Sequence, residues 1–160
     1  MQLSDTNIIA SGEEAIDLIN KTINLATLCI CAEAVGCMES CYTKTLEYTK
    51  GREQFGQPIS SFQVLQHRMV DMFIESELAK SLLIKAMLEV NNNSEDMTKH
   101  VSALKSYIGK AGKISAQDAV QMHGGMGVSE ELMIGHYLKK MISIDALFGN
   151  SDFHLKNISN

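Results

Sequence analysis

The sequence predicts an all-α protein that folds as an up-down-up-down four-helix bundle. Apolar residues recur at helical spacing over long stretches, and only a few glycine, proline and asparagine positions interrupt them. The 160 residues include one proline, no tryptophan and ten methionines, a composition that favours helices over sheets. A chain of this length can bury one hydrophobic core, and short connections between helices favour antiparallel neighbours.

The first predicted helix is also the longest. Ser11 and Glu14 have the spacing of a capping box, which predicts a helix that begins near Gly12. The apolar spacing continues to about Lys50, and the glycine that follows is a suitable end. Because such a length is unusual for one globular helix, we expect a kink within residues 20–24.

The second helix is expected to begin after Pro58, with Ser60 or Ser61 as its cap. Its apolar positions continue to about Val90. Residues 91–94 read Asn-Asn-Asn-Ser, which predicts a turn whose last asparagine or serine caps the third helix.

The third and fourth helices are separated by a glycine pair. The apolar spacing of the third helix ends at Gly124-Gly125. A fourth helix is expected to begin near Ser129 and to close at Gly149. The remaining residues read as a short polar tail.

Composition and charge narrow the classes of partner. The formal net charge of −5 argues against nucleic acid as the main partner. No apolar run has membrane-spanning length, and no signal peptide is visible. We therefore expect a cytoplasmic protein that binds neither nucleic acid nor a membrane.

The four cysteines all lie in the first predicted helix, at Cys29, Cys31, Cys37 and Cys41. A metal site needs ligands that converge, and this segment contains no histidine. We expect the cysteines to behave as small buried apolar side chains, without a bound metal. Disulfide bonds are not expected in a reducing compartment.

A charged turn with several glycines separates the first two helices. Arg52 and Gln54 present planar hydrogen-bond donors, and Gly56 allows a ligand to approach the backbone. Such donors suit a phosphate or a polar ring system, whereas a plain helix connection needs no such set. The alternative is that Arg52 is a solvated surface charge and that Phe55 and Phe62 belong to the core.

Two motifs resemble those of the acyl-CoA dehydrogenase family. The run 52–66, R-E-Q-F-G-Q-P-I-S-S-F-Q-V-L-Q, resembles the family signature R-x-Q-F-G-x-P-I-x-x-F-Q-x-x-Q. The run 121–127, Q-M-H-G-G-M-G, resembles the Q-x-x-G-G-x-G loop of the same family. The residues of 147–150 and 152–155 look most similar to the small subunits of pimeloyl-CoA dehydrogenase.

The resemblance covers nearly the whole chain and implies the C-terminal helical domain of the family. Residues 11–160 would form this four-helix-bundle domain, and residues 1–10 would be a remnant of the preceding β-domain or a linker. The N-terminal helical domain and the middle β-domain of the family have no counterpart here. We therefore expect an expressed fragment of a longer subunit or a truncated reading frame.

The first motif is implied by the resemblance to contact FAD across a subunit interface. Arg52 would pair with the FAD pyrophosphate, and Gln54 would donate a hydrogen bond to the same region. Phe55 would pack against the ring system. Gln63 would hydrogen-bond near the adenosine half.

The second motif is implied to approach the same cofactor with its backbone. Gln121, Gly124 and Gly125 would bring a loop close to the ADP part of FAD. The alternative is that the two glycines only end a helix.

The catalytic base of the family has no obvious counterpart. The resemblance implies a carboxylate that takes the α-proton of an acyl-CoA, while flavin N5 takes the β-hydride. The expected position of the glutamate is occupied by Phe148, and a second known location, on the first bundle helix, is Ala26 followed by Thr27. Asp145 and, more remotely, His154 are the candidates that remain for a base.

The sequence therefore indicates the FAD-contacting and oligomerisation domain of an acyl-CoA dehydrogenase. We expect it to be inactive as an isolated chain, and to form a homo-oligomer or a heteromer with a subunit that carries the catalytic glutamate. Acyl-CoA would be the substrate of the complete protein. The alternatives are a non-catalytic subunit of a heteromeric dehydrogenase, or a helical interaction module that has lost its cofactor.

Overall fold

Helices account for most of the chain in the computed structural model, which describes residues 8–159. Five α-helices, one two-stranded hairpin and two 3-10 turns follow each other over this range. In chain order the elements are α1 (Gly12–Gly51), β1 (Glu53–Gln54), β2 (Gln57–Pro58), a 3-10 turn (Ile59–Ser61), α2 (Gln63–Asn91), α3 (Met97–His123), a second 3-10 turn (Gly124–Val128), α4 (Ile134–Ala146) and α5 (Ser151–Ser159).

The bundle is organised around α3. This helix packs against α1, α2, α4 and α5, whereas α1 also contacts α2 and α4. The core lies between these helices and consists mainly of small and flexible apolar side chains, among them Ala34, Met38, Met72, Ala79, Leu104, Ile108 and Met141. The all-α prediction is therefore confirmed, and the hairpin β1–β2 is the sole sheet within residues 8–159.

The end of the chain differs from the sequence prediction. Residues 151–159 form a fifth helix rather than a polar tail. The Asn150 side chain accepts a hydrogen bond of 2.9 Å from the backbone N–H of Phe153, which caps the start of α5. The prediction failed because this helix has only nine residues. It contains too few apolar positions for a helical spacing to be recognised in the sequence.

Helix α4 begins later than predicted. It starts at Ile134, because Ser129 instead closes the preceding 3-10 turn. The backbone N–H and the hydroxyl of Ser129 both donate to the carbonyl of Met126, at 3.2 and 2.9 Å. The glycine pair therefore opens a longer connection than the sequence suggested.

The start of α2 also differs in detail. It begins at Gln63 after a 3-10 turn, and neither predicted serine caps it. The Ser61 hydroxyl donates to the Pro58 carbonyl at 2.7 Å, and the Ser60 carbonyl accepts from Gln66 at 3.0 Å. At the start of α3, the N-cap is Asp96, whose N–H donates to the Ser94 hydroxyl at 3.2 Å.

Helix α1 is continuous through the predicted kink and extends beyond the bundle. Its N-cap residue Ser11 makes no side-chain capping bond, contrary to the capping-box prediction. Residues 8–10 are not helical, and the rest of the predicted 1–10 segment lies outside the described residues. Thr27 is the first buried residue of the helix, so several apolar side chains before it are exposed, among them Ile16, Ile19 and Ile23.

One 18-residue window of α1 is long and apolar enough, by length and composition, to cross a membrane. The sequence prediction of no such segment missed it because small polar residues interrupt the apolar ones. Only 17% of this window is buried. The later part of α1 lines the bundle core through Cys31, Ala34 and Met38, and the core helix of a bundle passes the same test.

The cysteines follow the prediction only in part. Cys31 and Cys41 are buried, whereas Cys29 is exposed and Cys37 is half-buried. Burial raises the pKa of the Cys31 and Cys41 thiols to about 12, so both remain neutral apolar side chains. Within residues 8–159, no cluster of three or more histidine, cysteine or acidic side chains is placed to hold a metal ion.

Glycines on α3 allow the close approach of α4 and α5. A Cβ atom built on Gly109 would lie 2.8 Å from the Cβ of Ser151 and would also overlap the Asp145 carboxylate. That carboxylate is held in place, because it accepts a hydrogen bond of 2.9 Å from the backbone N–H of Ser151. The α4–α5 connection therefore packs against bare helix backbone.

We expect Gly109→Ala to lower the free energy of unfolding by about 1–3 kcal/mol, because the added methyl group overpacks a fixed contact. The matched control is Gly36→Ala on α1, where a Cβ would meet no atom within 4 Å. The control should raise stability by about 0.5–1 kcal/mol through helix propensity. Urea denaturation measures both values, and equal effects would contradict the close packing at Gly109.

Two histidines and one lysine are buried among these helices: His123, His154 and Lys105. Burial lowers the pKa of both histidines. A hydrogen bond between each ring and a backbone carbonyl opposes part of this decrease in pKa. Burial likewise lowers the pKa of Lys105. The folded protein therefore favours the neutral form of both imidazoles.

We expect the free energy of unfolding to fall as the pH decreases from 7.5 to 5.5. The unfolded chain binds protons near the ordinary histidine pKa of about 6.5, whereas the buried rings resist protonation to lower pH. His154→Gln and His123→Gln should each flatten this dependence, because each removes one buried ring whose pKa is lowered. Denaturant titrations at several pH values would contradict the account if both variants kept the parent slope.

Candidate functional site

The turn after α1 is a hairpin with an exposed aromatic tip. Strands β1 and β2 pair antiparallel, with Gln54 opposite Gln57, so that Phe55 and Gly56 form a two-residue turn. Both have positive φ, 55° and 78°, as in the hairpin turns that match strand twist. Phe55 is 90% exposed, and its ring forms a T-shaped pair with Phe62 at a centroid distance of 6.1 Å.

This conformation is costly for a phenylalanine. Bulky residues rarely adopt positive φ, and such outliers cluster at functional sites. The core alternative for Phe55 is therefore wrong, since the ring faces solvent. Phe62, by contrast, is half-buried.

The predicted polar donors lie on the hairpin or on the segments that flank it. The backbone of Arg52 is fixed, because its N–H donates to Tyr48 at 2.9 Å and its carbonyl accepts from Ile59 at 2.8 Å. Its side chain is exposed and forms no ion pair or hydrogen bond with residues 8–159. The Gln54 amide donates to the Glu53 carbonyl at 2.9 Å, and Gln63 is exposed at the first position of α2.

A groove of about 350 Å³ opens beside the hairpin, between the end of α1 and the start of α2. Lys50, Ser60 and Gln66 supply its polar groups. Its apolar lining consists of Tyr42, Leu46, Met69, Val70 and Phe73.

The glycine loop after α3 contains two adjacent glycines, Gly124 and Gly125. The backbone conformation requires a glycine at 124 but not at 125. Gly124 has φ 59° and ψ −138°, a conformation open essentially to glycine alone. Gly125 has an ordinary φ, and a Cβ there would meet no atom within 4 Å. The fold alone therefore gives no reason for a glycine at 125, whereas close approach by a ligand would. Gln121 is exposed one helical turn before the loop.

A stacked pair of rings joins the two motifs. Tyr48 and His123 stack with centroids 4.2 Å apart, and the Tyr48 hydroxyl donates to the His123 carbonyl at 3.4 Å. His123 Nδ1 in turn donates to the Ala119 carbonyl at 2.8 Å. The hairpin and the glycine loop therefore lie at the same end of the bundle.

The sequence prediction missed this pair. Each ring is adjacent to a motif, since Tyr48 precedes Arg52 by one helical turn and His123 precedes Gly124 directly. The available signal was a ring-bearing residue next to each motif. Because Tyr48 and His123 are far apart along the chain, the sequence alone does not predict that they are in contact.

The candidate bases lie in a second region, at the turn between α4 and α5. The Asp145 carboxylate accepts a hydrogen bond from the N–H of Ser151 and packs over Gly109. Both ring nitrogens of His154 are engaged, one with Ser102 and one with the Phe148 carbonyl. Asp145 and both ring nitrogens of His154 therefore have hydrogen-bond partners within the chain, and Ala26 is half-buried and carries no acid.

Phe148 itself is exposed, with a φ of 55°. Lys105 lies beneath it and donates to two carbonyls of the turn. No motif had singled out this lysine.

The two regions are far apart along α3. Lys105 and His123 are separated by about five helical turns, or roughly 27 Å. One end of the bundle therefore presents the hairpin and the glycine loop, while the α4–α5 turn lies toward the other end.

Comparison with known proteins identifies the family of the chain. The family model "Acyl-CoA dehydrogenase, C-terminal domain" matches residues 16–160. The Bacillus subtilis protein "Probable acyl-CoA dehydrogenase YngJ" is 33% identical over 133 residues, which cover 83% of this chain and 35% of YngJ. The acyl-CoA dehydrogenase IpdE2 of Mycolicibacterium smegmatis is 31% identical, over 78% of this chain and 38% of IpdE2.

Solved structures show the same architecture. The structure "PigA with FAD and proline" is 29% identical with a TM-score of 0.81, over 86% of this chain and 36% of PigA. Butyryl-CoA dehydrogenase from Megasphaera elsdenii has a TM-score of 0.92 over 98% of this chain and 41% of its own. At 22% identity, that match shows the fold alone.

The chain spans about a third of the length of the curated relatives it matches. The finer resemblance to pimeloyl-CoA dehydrogenase small subunits stays a prediction. With its bundle architecture and its two motifs at one end, the chain belongs to the acyl-CoA dehydrogenase family and corresponds to the C-terminal domain of that family.

Proposed function

We propose that this chain contacts FAD through the hairpin and the glycine loop, as one domain of an oligomeric acyl-CoA dehydrogenase. The observation that carries the proposal is the meeting of both motifs at one end of the bundle, through the stacked pair of Tyr48 and His123. The hairpin there displays a guanidinium and an aromatic ring that the described chain leaves exposed.

The residues present fit the chemistry of a dinucleotide. The Arg52 guanidinium can bind a pyrophosphate with two parallel hydrogen bonds, while Gln54 supplies an amide beside it. Phe55 offers an apolar ring face, and Gly125 leaves room for a bulky group against the backbone. When bound, FAD would supply a hydride acceptor.

The separation of the two regions supports a cofactor shared between subunits. The α4–α5 turn, at the expected position of the base, lies about five helical turns from the glycine loop along α3. We propose that the hairpin and the loop serve the FAD of a neighbouring subunit, while the α4–α5 turn borders a different active site.

Exposed apolar surface supports an oligomer. The outward side of α2 carries Ile74, Leu78 and Leu88, all about half-exposed. The first turns of α1 add further exposed isoleucines. Contiguous apolar surface of this kind marks interaction sites, and a second copy or a related catalytic subunit would cover it.

We further propose that the active site beside the α4–α5 turn lacks its ordinary base. A phenylalanine cannot accept a proton, and the Asp145 carboxylate is engaged by Ser151 on the packed side of the turn. The substrate class we propose is an acyl thioester. The solved structure of the relative PigA contains FAD and proline, so a prolyl thioester is the variant to test beside acyl-CoA.

Arg52→Ala in the assembled flavoprotein should weaken FAD binding at least tenfold. The loss of a charge-assisted hydrogen bond corresponds to about 1.5–3 kcal/mol. Lys44→Ala, an exposed cation on α1, is the matched control and should leave FAD affinity unchanged. Flavin absorbance after dialysis and titration of the apoprotein measure both. Unchanged affinity in Arg52→Ala would show that the hairpin is not a cofactor site.

The missing base is tested by adding an acid. We expect the assembled protein, without any second type of subunit, to show no oxidation of acyl-CoA with an artificial electron acceptor. Phe148→Glu should produce measurable turnover, because it places a carboxylate at the expected position. Phe148→Gln is the control without a base. Robust turnover of the parent that disappears in Asp145→Asn would contradict the proposal and identify Asp145 as the base.

A further inference from the structure

The turn between α4 and α5 is held in a strained conformation. Phe148 and Gly149 are consecutive residues with positive φ, 55° and 95°. Phe148 is not a residue that tolerates this region readily, and its side chain is 44% exposed. Since burial of the ring does not stabilise this conformation, the surrounding contacts must do so.

A buried ammonium group supplies two of those contacts. Lys105 is 0% exposed, and its Nζ donates to the carbonyl of Asp145 at 2.9 Å and to that of Gly149 at 2.7 Å. These carbonyls flank Phe148, so one side chain fixes both limbs of the turn. Burying a cation is costly unless its donors are satisfied, and a neutral side chain on α3 would join two helices at lower cost.

A buried histidine supplies the third contact. Nε2 of His154 donates to the carbonyl of Phe148 at 3.0 Å, and Nδ1 accepts from the Ser102 hydroxyl at 3.0 Å. This arrangement uses the neutral ring and one tautomer. The carbonyls of Asp145, Phe148 and Gly149 are therefore all bound by side chains from α3 and α5.

We propose that Lys105 and His154 are positioning residues, which hold residue 148 in its left-handed backbone so that its side chain faces outward. The contacts of Lys105 and His154 would thus hold the turn in this conformation even though the side chain at 148 is a phenylalanine, which cannot act as a base. The link to catalysis rests on the proposed function, because there the turn borders an acyl-thioester site. The positioning itself rests on the contacts of the turn alone.

A purely structural role for the two residues predicts something different. Loss of a contact that only adds stability would lower the unfolding midpoint and leave residue 148 equally ordered in the folded protein. Loss of a positioning contact would increase local motion at 148 while the rest of the bundle stayed ordered. A reporter at this position separates the two.

The chain contains no tryptophan, so Phe148→Trp would give a single tryptophan at the turn, which can be excited selectively over the four tyrosines. Phe73→Trp, in the groove between α1 and α2 and with a similar exposure of 46%, is the matched reporter elsewhere. Time-resolved anisotropy under folding conditions measures the fraction of anisotropy lost by fast local motion. Lys105→Met, which keeps an unbranched side chain up to the ε position and removes the ammonium donors, would be added to each reporter.

We expect Lys105→Met to increase the fast fraction at position 148 at least twofold and to leave the reporter at position 73 unchanged. A folded double variant with unchanged local motion at 148 would overturn the proposal. So would an equal increase at both positions, because that result indicates general loosening.

A second pair of variants keeps the proposal testable if the lysine variant does not fold. His154→Leu removes the donor to the Phe148 carbonyl, whereas His154→Gln retains an N–H donor of similar reach. We expect greater local motion at 148 in the leucine variant and rescue in the glutamine variant. Equal motion in both variants would overturn the role of His154.

These measurements use neither flavin nor substrate. If the turn loosens as expected but Arg52→Ala retains flavin, the positioning stands and the cofactor proposal fails. If flavin binding depends on Arg52 but the turn does not loosen, the cofactor proposal stands and the positioning proposal fails.

Discussion

The packing of every other helix against α3 is the constraint on which the rest of the structure depends. Four helices contact α3, and its buried positions are largely small residues, including Gly109 and Gly112. A Cβ at Gly112 would overlap the end of Met141, just as one at Gly109 would overlap the α4–α5 connection. The short helices α4 and α5 can therefore lie directly on the backbone of α3, and this closeness brings the α4–α5 turn within reach of Lys105.

The same helix links the two regions that carry chemistry. Its C-terminal end positions the glycine loop and, through His123, the hairpin after α1. Its earlier part holds the α4–α5 turn through Lys105 and Ser102. Both regions contain an exposed phenylalanine at positive φ, Phe55 in one and Phe148 in the other. In each case hydrogen bonds hold the backbone while the ring is largely exposed, so the fold stores strain at the hairpin and at the α4–α5 turn.

Much of this architecture could be predicted from the sequence because its signals are local. The glycines at 51 and 124 mark the ends of long amphipathic segments, and each of the two motifs is a contiguous run of residues. The features that the sequence did not predict depend on contacts between distant residues. A lone lysine in a helix normally indicates a surface position, yet Lys105 is buried because the carbonyls that it binds are contributed by residues 145 and 149. The α5 helix was missed for a related reason, since its buried residues, Ser151 and His154, are polar and find their partners only in distant parts of the chain.

The claim most central to this account is that the hairpin and the glycine loop contact one cofactor together. Hydrogen–deuterium exchange of the assembled protein, with and without FAD, tests it most directly. The account predicts slower exchange in both segments, 52–58 and 124–129, when FAD is bound, with little change along the outward side of α2. Slower exchange in only one of the two segments, or in neither, would contradict it.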